Sequence, residues 1–123
     1  MSKKSNHILI IEDEKPLSKA LELKLTKEGY ETSIAVDGAE AVELLKTQEY
    51  ALAILDLVMP RFDGFHFLEY VHENKIPIKV IVLSNLSQTE DVKKAKNFGA
   101  EDYYIKSNTP IVELVDKIKK ILA

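Results

Sequence analysis

Short runs of aliphatic residues alternate five times with longer amphipathic segments along this chain of 123 residues. Each short run has the length of a β-strand, about four to six residues, and three of the runs are almost wholly aliphatic, which is typical of strands covered on both faces. A repeated βα order predicts a parallel sheet with right-handed crossovers and helices on both faces. We therefore predict a single (βα)₅, doubly wound α/β domain with strands at 7–11, 31–35, 51–55, 79–83 and 102–105.

The segments between the predicted strands carry signals for the beginning and end of helices. Proline suits a first helical turn and glycine commonly ends a helix. An N-cap oxygen followed three residues later by Glu is the spacing of a capping box. The helix signals are Pro16, Gly29, Asp37 with Glu40, Asp63, Ser87 with Glu90, Gly99 and Thr109-Pro110, and the predicted apolar face of the last helix is Val112, Val115, Ile118 and Leu122.

Composition excludes several classes of protein. The net charge is −3 and Arg61 is the single arginine, which argues against binding to nucleic acid. There is no cysteine for disulfides or thiolate metal sites, and no apolar stretch approaches the roughly 20 residues that span a bilayer. We expect one domain over residues 1–123 that is cytoplasmic by default and is not bound to a membrane, with residues 1–6 as a flexible polar tail rather than a secretory signal.

Acidic residues follow two of the predicted strands. Glu12 and Asp13 come directly after the first strand, and Asp56 ends the third. Strand ends of this kind share one edge of a parallel sheet, so adjacent strands would bring three carboxylates together. Their repulsion requires either raised pKa values or a cation, and oxygen ligands of this type suit Mg²⁺ better than Zn²⁺. The alternative is a solvated loop that caps the next helix, where acidic residues are also favourable.

A hydroxyl and an ammonium group fall on the same edge. Ser84 follows the fourth predicted strand, and Lys106 follows the fifth. Either residue alone has an ordinary explanation, since serine forms turns and lysine is common on surfaces. Together with the acidic residues, they provide the donor, the cation and the acceptor that surround a phosphoryl group. The coincidence at four strand ends favours a site that handles phosphate.

These motifs, in this order, resemble the receiver domain of bacterial response regulators, including single-domain chemotaxis regulators. The resemblance covers about residues 6–123. It implies a flavodoxin-like sheet with the strand order 2-1-3-4-5. The segments that carry it are 8–14, 56–60 with Asp63-Gly64, 80–84 and 99–106.

The resemblance implies a phosphorylation switch in two-component signalling. Asp56 would accept a phosphoryl group from a sensor histidine kinase or a phosphotransfer protein, and Lys106 and Ser84 would contact that group. Tyr103 would follow the movement of Ser84. The resemblance implies that Mg²⁺ is held by Glu12, Asp13, Asp56 and the backbone carbonyl of Val58.

The resemblance also implies what the switch would control. Phosphorylation would remodel the last two helices and the strand between them, and this surface would bind a downstream protein, a linked output domain or a second copy of the chain. Such a protein promotes its own phosphorylation and slow dephosphorylation, and it is not a turnover enzyme.

Several positions depart from the pattern of this family. Ser107 stands where proline is usual, and proline is the residue that favours a cis bond. Asn85 replaces a usually small residue beside Ser84. Val58 and Leu86 are apolar positions flanking Asp56, and we predict that they give an attacking water little help, so the phosphorylated state is long-lived.

Three other functions remain open on the sequence. A degenerate receiver that binds proteins without phosphorylation would share the same fold, and Ser107 is consistent with it. A flavodoxin-like cofactor binder would also share the fold, but the acidic residues after the first strand would repel a phosphate. A phosphohydrolase with an aspartyl nucleophile usually has a second Asp two residues after the first, where this chain has Val58.

Overall fold

The structure of the protein is a computed structural model, which describes residues 6–59, 64–86 and 88–123. Its centre is a five-stranded parallel sheet in the order β2-β1-β3-β4-β5, which confirms the predicted fold class and strand order. Strand β3 begins one residue later than predicted, and β4 extends one residue further, to include Ser84. The strands are β1 (His7–Ile11), β2 (Glu31–Ala35), β3 (Leu52–Leu55), β4 (Lys79–Ser84) and β5 (Asp102–Ile105).

Helices cover both faces of the sheet. Helices α1 and α5 pack together on one face, and α2, α3 and α4 cover the other. A short 3₁₀ turn, Lys106–Asn108, lies between β5 and α5. The helices are α1 (Lys15–Lys27), α2 (Gly38–Thr47), α3 (Gly64–Glu73), α4 (Thr89–Asn97) and α5 (Ile111–Leu122).

Two apolar cores lie on opposite faces of the sheet. Alternate residues of β1 supply them, with Leu9 and Ile11 facing α2, α3 and α4, and Ile8 and Ile10 facing α1 and α5. This division follows from the pleat, since successive side chains of a strand point to opposite faces. All of β3 is buried, so the end of the central strand is held rigidly from both sides.

The helix signals are partly confirmed. Asp37 caps α2 by accepting a hydrogen bond from the Glu40 N–H at 2.8 Å, and the Glu40 carboxylate accepts one from the Val36 N–H at 3.0 Å. Pro16 lies in the first turn of α1, and Gly29 follows its end with a φ of 95°. The proposed caps Asp63 and Ser87 lie outside the described residues, and α4 begins after Gln88.

The predicted apolar face of α5 is wrong at one position. Val112 is 59% exposed, and Leu114 is buried in its place beside Val115 and Ile118. The i, i+3 spacing from Val112 fits a helical stripe, but the packing of α5 against α1 turns that side chain to solvent. Within the described ranges, no helix combines the length and the apolar character needed to cross a bilayer.

Candidate functional site

The acidic residues of β1 and β3 meet at the carboxyl edge of the sheet. The two strands are paired, with Ile11 opposite Leu55, so the residues that follow them are neighbours. Carboxylate oxygens of Glu12, Asp13 and Asp56 lie within 4.8 Å of one another. Glu12 and Asp56 are buried, whereas Asp13 is exposed. The predicted convergence of three carboxylates is therefore present in the structure.

Lys106 reaches these carboxylates from the far side of β4. Its Nζ lies 3.0 Å from Asp56 Oδ2 and 2.9 Å from Glu12 Oε1, and its side chain is only 11% exposed. It also forms an ion pair with Glu14, a contact that was not predicted. The acidic run that contains Glu14 was visible in the sequence, but nothing in it indicated which carboxylate would turn toward the lysine.

Backbone donors hold the other oxygens of the two buried carboxylates. Asp56 Oδ1 accepts a hydrogen bond from the Val58 N–H at 3.1 Å. Glu12 Oε2 accepts one from the Glu14 N–H at 3.0 Å. Each buried acid thus has one oxygen fixed by its own loop and the other facing Lys106, which compensates part of the cost of burying charge.

The charges at the site shift the pKa values of two groups. Burial raises the pKa of Glu12, and the negative charge of Asp56 adds to this, against the lowering effect of the Glu14 N–H and Lys106. Burial alone would lower the pKa of Lys106, but its hydrogen bonds to Glu14, Glu12 and Asp56 outweigh this and raise it. Lys106 is therefore a permanent cation at neutral pH.

The turn that carries Lys106 is well defined although Ser107 replaces proline. The described residues contain no cis peptide bond, so the Lys106–Ser107 bond is trans. The Ser107 N–H donates a hydrogen bond to Asn85 Oδ1 at 3.0 Å. Lys106 thus contacts Asp56 while the bond that follows it is trans. Asn85 and Ser107, two departures from the family pattern, contact each other.

Ser84 and Tyr103 are linked through the backbone of Leu86. Ser84 is fully buried, and its hydroxyl accepts a hydrogen bond from the Leu86 N–H at 3.3 Å. The Tyr103 hydroxyl donates to the Leu86 carbonyl at 2.6 Å. Burial raises the pKa of Tyr103, and the charges of Asp91 and Asp56 contribute to that rise. Ser84 and Tyr103 therefore contact the peptide groups on either side of Leu86.

The donor set fits a hard divalent cation. Three carboxylates supply only oxygen ligands, and two of them are buried with incomplete compensation of their charge. Mg²⁺ prefers such oxygens and retains several waters, which the exposed side at Asp13 allows. The predicted fourth ligand, the Val58 carbonyl, belongs to the residue whose N–H contacts Asp56.

Comparison with known sequences agrees with this geometry. The model of the response regulator receiver domain family matches residues 8–119. The chain is 38% identical over 122 residues to the probable transcriptional regulator ycf27 of Cyanidium caldarium, covering 98% of this chain and 48% of that protein. It is 34% identical over 116 residues to the response regulator ArlR of Staphylococcus epidermidis, covering 94% of this chain and 52% of that protein. The chain spans about half the length of these curated relatives.

Solved structures show the same fold. A Francisella response regulator receiver domain superposes with a TM-score of 0.88 at 30% identity, covering 94% of this chain and 95% of that chain. A CheY-like receiver domain protein from Methanospirillum hungatei gives a TM-score of 0.90 at 28% identity, covering 97% of this chain and 94% of that chain. The chain belongs to the response regulator receiver domain family of two-component signalling.

Proposed function

We propose that Asp56 is the phosphoacceptor of a phosphorylation-dependent signalling switch. The observation that carries this proposal is the buried Asp56 carboxylate, with an ammonium group 3.0 Å from Oδ2 and two further acids beside it. An Asp56 oxygen attacks the phosphorus of a phosphohistidine on a sensor kinase or phosphotransfer protein. A new P–O bond forms as the P–N bond breaks, and the histidine, which is protonated on its other ring nitrogen, leaves as neutral imidazole.

Glu12, Asp13, Asp56 and the Val58 carbonyl would hold Mg²⁺ during this transfer. When bound, the cation neutralises negative charge that develops on the transferring group. Lys106 provides a second positive charge from the protein itself, at a site where burial strengthens electrostatic contacts. Lys106 would then exchange part of its present contact with Glu12 and Asp56 for the phosphoryl oxygens, while the two carboxylates would face the cation.

Phosphorylation changes the hydrogen bonds of the β4–α4 loop in this proposal. The phosphoryl group adds about −1.5 to −2 charge and three acceptor oxygens. Ser84, whose hydroxyl now accepts from the Leu86 N–H, turns to donate to one of those oxygens. Since the Leu86 carbonyl is held by Tyr103, displacement of Leu86 repositions the Tyr103 ring and with it the surface formed by α4, β5 and α5.

The energy available from the site is adequate for such a switch. A shift from mostly inactive to mostly active requires about 5.5 kcal/mol of differential stabilisation. Hydrogen bonds to charged groups contribute about 1.5–3 kcal/mol each. Two or three new contacts from Ser84, Lys106 and the loop therefore supply most of the requirement.

The proposed partners are a sensor histidine kinase or phosphotransfer protein on the input side, and a downstream protein, a linked output domain or a second copy of the chain on the α4–β5–α5 surface. The protein promotes its own phosphorylation and slow dephosphorylation, and we propose that it is not a turnover enzyme. A cytoplasmic setting belongs to the same proposal, since that is where kinase and receiver meet.

Intact-mass measurement with acetyl phosphate and Mg²⁺ tests the proposal directly. The wild type should gain one phosphoryl group, and Asp56→Asn should gain none because its amide is a poor nucleophile. Removal of Mg²⁺ with a chelator should abolish the gain. A wild type that stays unmodified would support a degenerate, phosphate-independent module instead, and a gain in Asp56→Asn would place the acceptor elsewhere.

A further inference from the structure

We propose that the Asn85 side chain positions Lys106 toward Asp56 by holding the turn that follows β5, an inference that rests on the proposed role of Asp56. The Ser107 N–H donates a hydrogen bond to Asn85 Oδ1 at 3.0 Å, across 22 residues of sequence. Asn85 follows β4, and Ser107 follows β5. The bond therefore connects the loops that follow β4 and β5, at a point beyond the last backbone pair of the two strands.

The position of this bond continues the pairing of β4 with β5. The last backbone partners of the two strands are Ser84 and Ile105. One residue beyond Ser84, the side-chain oxygen of Asn85 provides the acceptor for the second N–H beyond Ile105. A side chain thus carries the contact between the strands into the 3₁₀ turn, Lys106–Asn108.

Two further hydrogen bonds among the described residues link the two ends of this turn. The Thr109 hydroxyl donates to the Ile105 carbonyl at 2.9 Å, and the Thr109 N–H lies 3.5 Å from the Lys106 carbonyl. These bonds give the turn its shape and tie it to the end of β5, but they do not connect it to β4. The Asn85 bond ties the turn to β4, which lies between β5 and the strand that ends in Asp56.

The position of the turn that carries Lys106 is important because the lysine side chain must reach across β4. Strands β3 and β5 are separated by β4, so their axes are about 9–10 Å apart at the usual strand spacing. Lys106 Nζ has to cross that gap to contact Asp56 Oδ2 at 3.0 Å. The length of this reach makes the contact depend on where the turn places the Lys106 main chain.

The ion pairs of Lys106 are not a substitute for the Asn85 bond during the reaction. Glu12 and Asp56 are the carboxylates that would hold the cation and the phosphoryl group, so their contacts with Lys106 change when those groups bind. The bond between Ser107 and Asn85 involves none of the acids and persists. A proline at position 107 would have no N–H to donate, so Asn85 and Ser107 act as a matched pair.

Phosphorylation kinetics test the role of Asn85. In Asn85→Ala at saturating Mg²⁺, the maximal rate constant with acetyl phosphate should fall by about two- to tenfold, the factor expected for one lost hydrogen bond. The half-saturating donor concentration should not change, because a positioning role affects the transfer step and not the binding of the donor. Asn108→Ala is the matched control, since Asn108 is an exposed residue of the same turn. Equal rates for Asn85→Ala and wild type would overturn the proposal.

A double-mutant cycle shows whether Asn85 acts through Lys106. If it does, Asn85→Ala has no further effect in a Lys106→Ala background, because the side chain being positioned is absent. A general loss of structure would slow both backgrounds by the same factor. That additive result would overturn a positioning role.

A measurement without any phosphodonor separates this inference from the proposed function. In protein with ¹⁵N-labelled lysine, the ammonium of Lys106 should give a slowly exchanging signal, because it is largely buried and ion-paired. Asn85→Ala should broaden or remove that signal, and Asn108→Ala should retain it. An unchanged signal in Asn85→Ala overturns the inference even where Asp56 is phosphorylated. Loss of the signal in a protein that is not phosphorylated supports positioning by Asn85 and defeats the proposed function alone.

Discussion

Lys106 Nζ lies 3.0 Å from Asp56 Oδ2, although the two residues follow strands that are not adjacent in the sheet. The same nitrogen lies 2.9 Å from Glu12 Oε1. The ammonium group therefore pairs with both of the buried carboxylates that would also bind a divalent cation. The lysine and the cation therefore compete for the same carboxylate oxygens, and the first prediction is based on this competition.

Lys106→Ala should tighten Mg²⁺ binding while it slows phosphorylation. Two unit charges about 4 Å apart near a protein surface interact by about 4 kcal/mol before screening. If one third of this interaction energy opposes Mg²⁺ binding, its loss raises the affinity by about tenfold, since 1.4 kcal/mol is a factor of ten. Calorimetric titration with Mg²⁺ measures the change. Lys119→Ala, which removes a surface ion pair with Glu28, is the control and should leave the affinity as it is. Weaker Mg²⁺ binding in Lys106→Ala would contradict the competition.

Gly64→Ala should destabilise the protein and disturb Asp56. A Cβ at position 64 would lie 2.7 Å from the Asp56 carbonyl oxygen and 2.7 Å from Leu57 Cα, both backbone atoms that cannot give way cheaply. We expect a loss of about 1–3 kcal/mol in the free energy of unfolding, which is typical of overpacking. Denaturant titration measures the loss, and acetyl phosphate kinetics should show slower phosphorylation.

Gly99→Ala is the matched control for that variant. Gly99 has a φ of 98°, and a Cβ added there would meet no atom within 4 Å, so alanine costs about 1–2 kcal/mol through backbone strain alone. It precedes β5 and is therefore at the opposite edge of the sheet from Asp56. Its phosphorylation rate should match the wild type. Equal slowing in both variants would show that stability, and not the contact with Asp56, sets the rate.

Val58→Asn should shorten the lifetime of the phosphorylated state. Val58 is 57% exposed two residues after Asp56, whereas Leu86 packs against the core, so Val58 is the apolar side chain that an incoming water meets. An amide there can orient the water, and we expect phosphate loss to accelerate by about two- to tenfold, the range of one hydrogen bond of about 0.5–1.5 kcal/mol. Loss of the phosphoryl group is followed by intact mass. Val36→Asn, at another exposed valine, should decay like the wild type, and identical decay in Val58→Asn would refute the prediction.

Tyr104 should make stability fall at alkaline pH. Burial, together with a hydrogen bond to Asp102 at 2.9 Å, raises the pKa of Tyr104 to about 12. The unfolded pKa is about 10, so the stabilisation from this group is complete below pH 10 and is lost as pH rises toward 12. Tyr104→Phe should therefore lose less stability than the wild type between these values. Guanidinium titrations on either side of pH 10 measure this, with Tyr70→Phe as a control for removal of a tyrosine; parallel losses in all three proteins would refute it.

The fold was predictable because the β-strands of a doubly wound sheet are buried on both faces. The aliphatic character of residues 7–11 and 79–83 reports that burial directly, and the strand bounds agree to within one residue. The face of α5 was less predictable. Val112 and Leu114 are both consistent with a helical stripe, and only the packing against α1 decides that Leu114 is buried.

The membership of the candidate site was predictable, but its internal contacts were not. Glu12, Asp56 and Lys106 each follow a strand and Ser84 is the last residue of one, so the order of the strands is enough to bring them together. The direction of each side chain depends on partners that are distant in sequence. The bond from Ser107 to Asn85 is an example, since neither residue type indicates the other and the pairing depends on the geometry of two loops.

The place of β5 at the edge of the sheet has a consequence for synthesis of the chain. Residues 12, 13 and 56 are made well before residue 106, so a growing chain contains these acids before it contains the lysine that pairs with them. The final strand joins the outer side of β4 and delivers Lys106 and Tyr103 together. A ribosome-bound or truncated chain that lacks this strand therefore has neither the balancing charge nor the hydroxyl that holds Leu86.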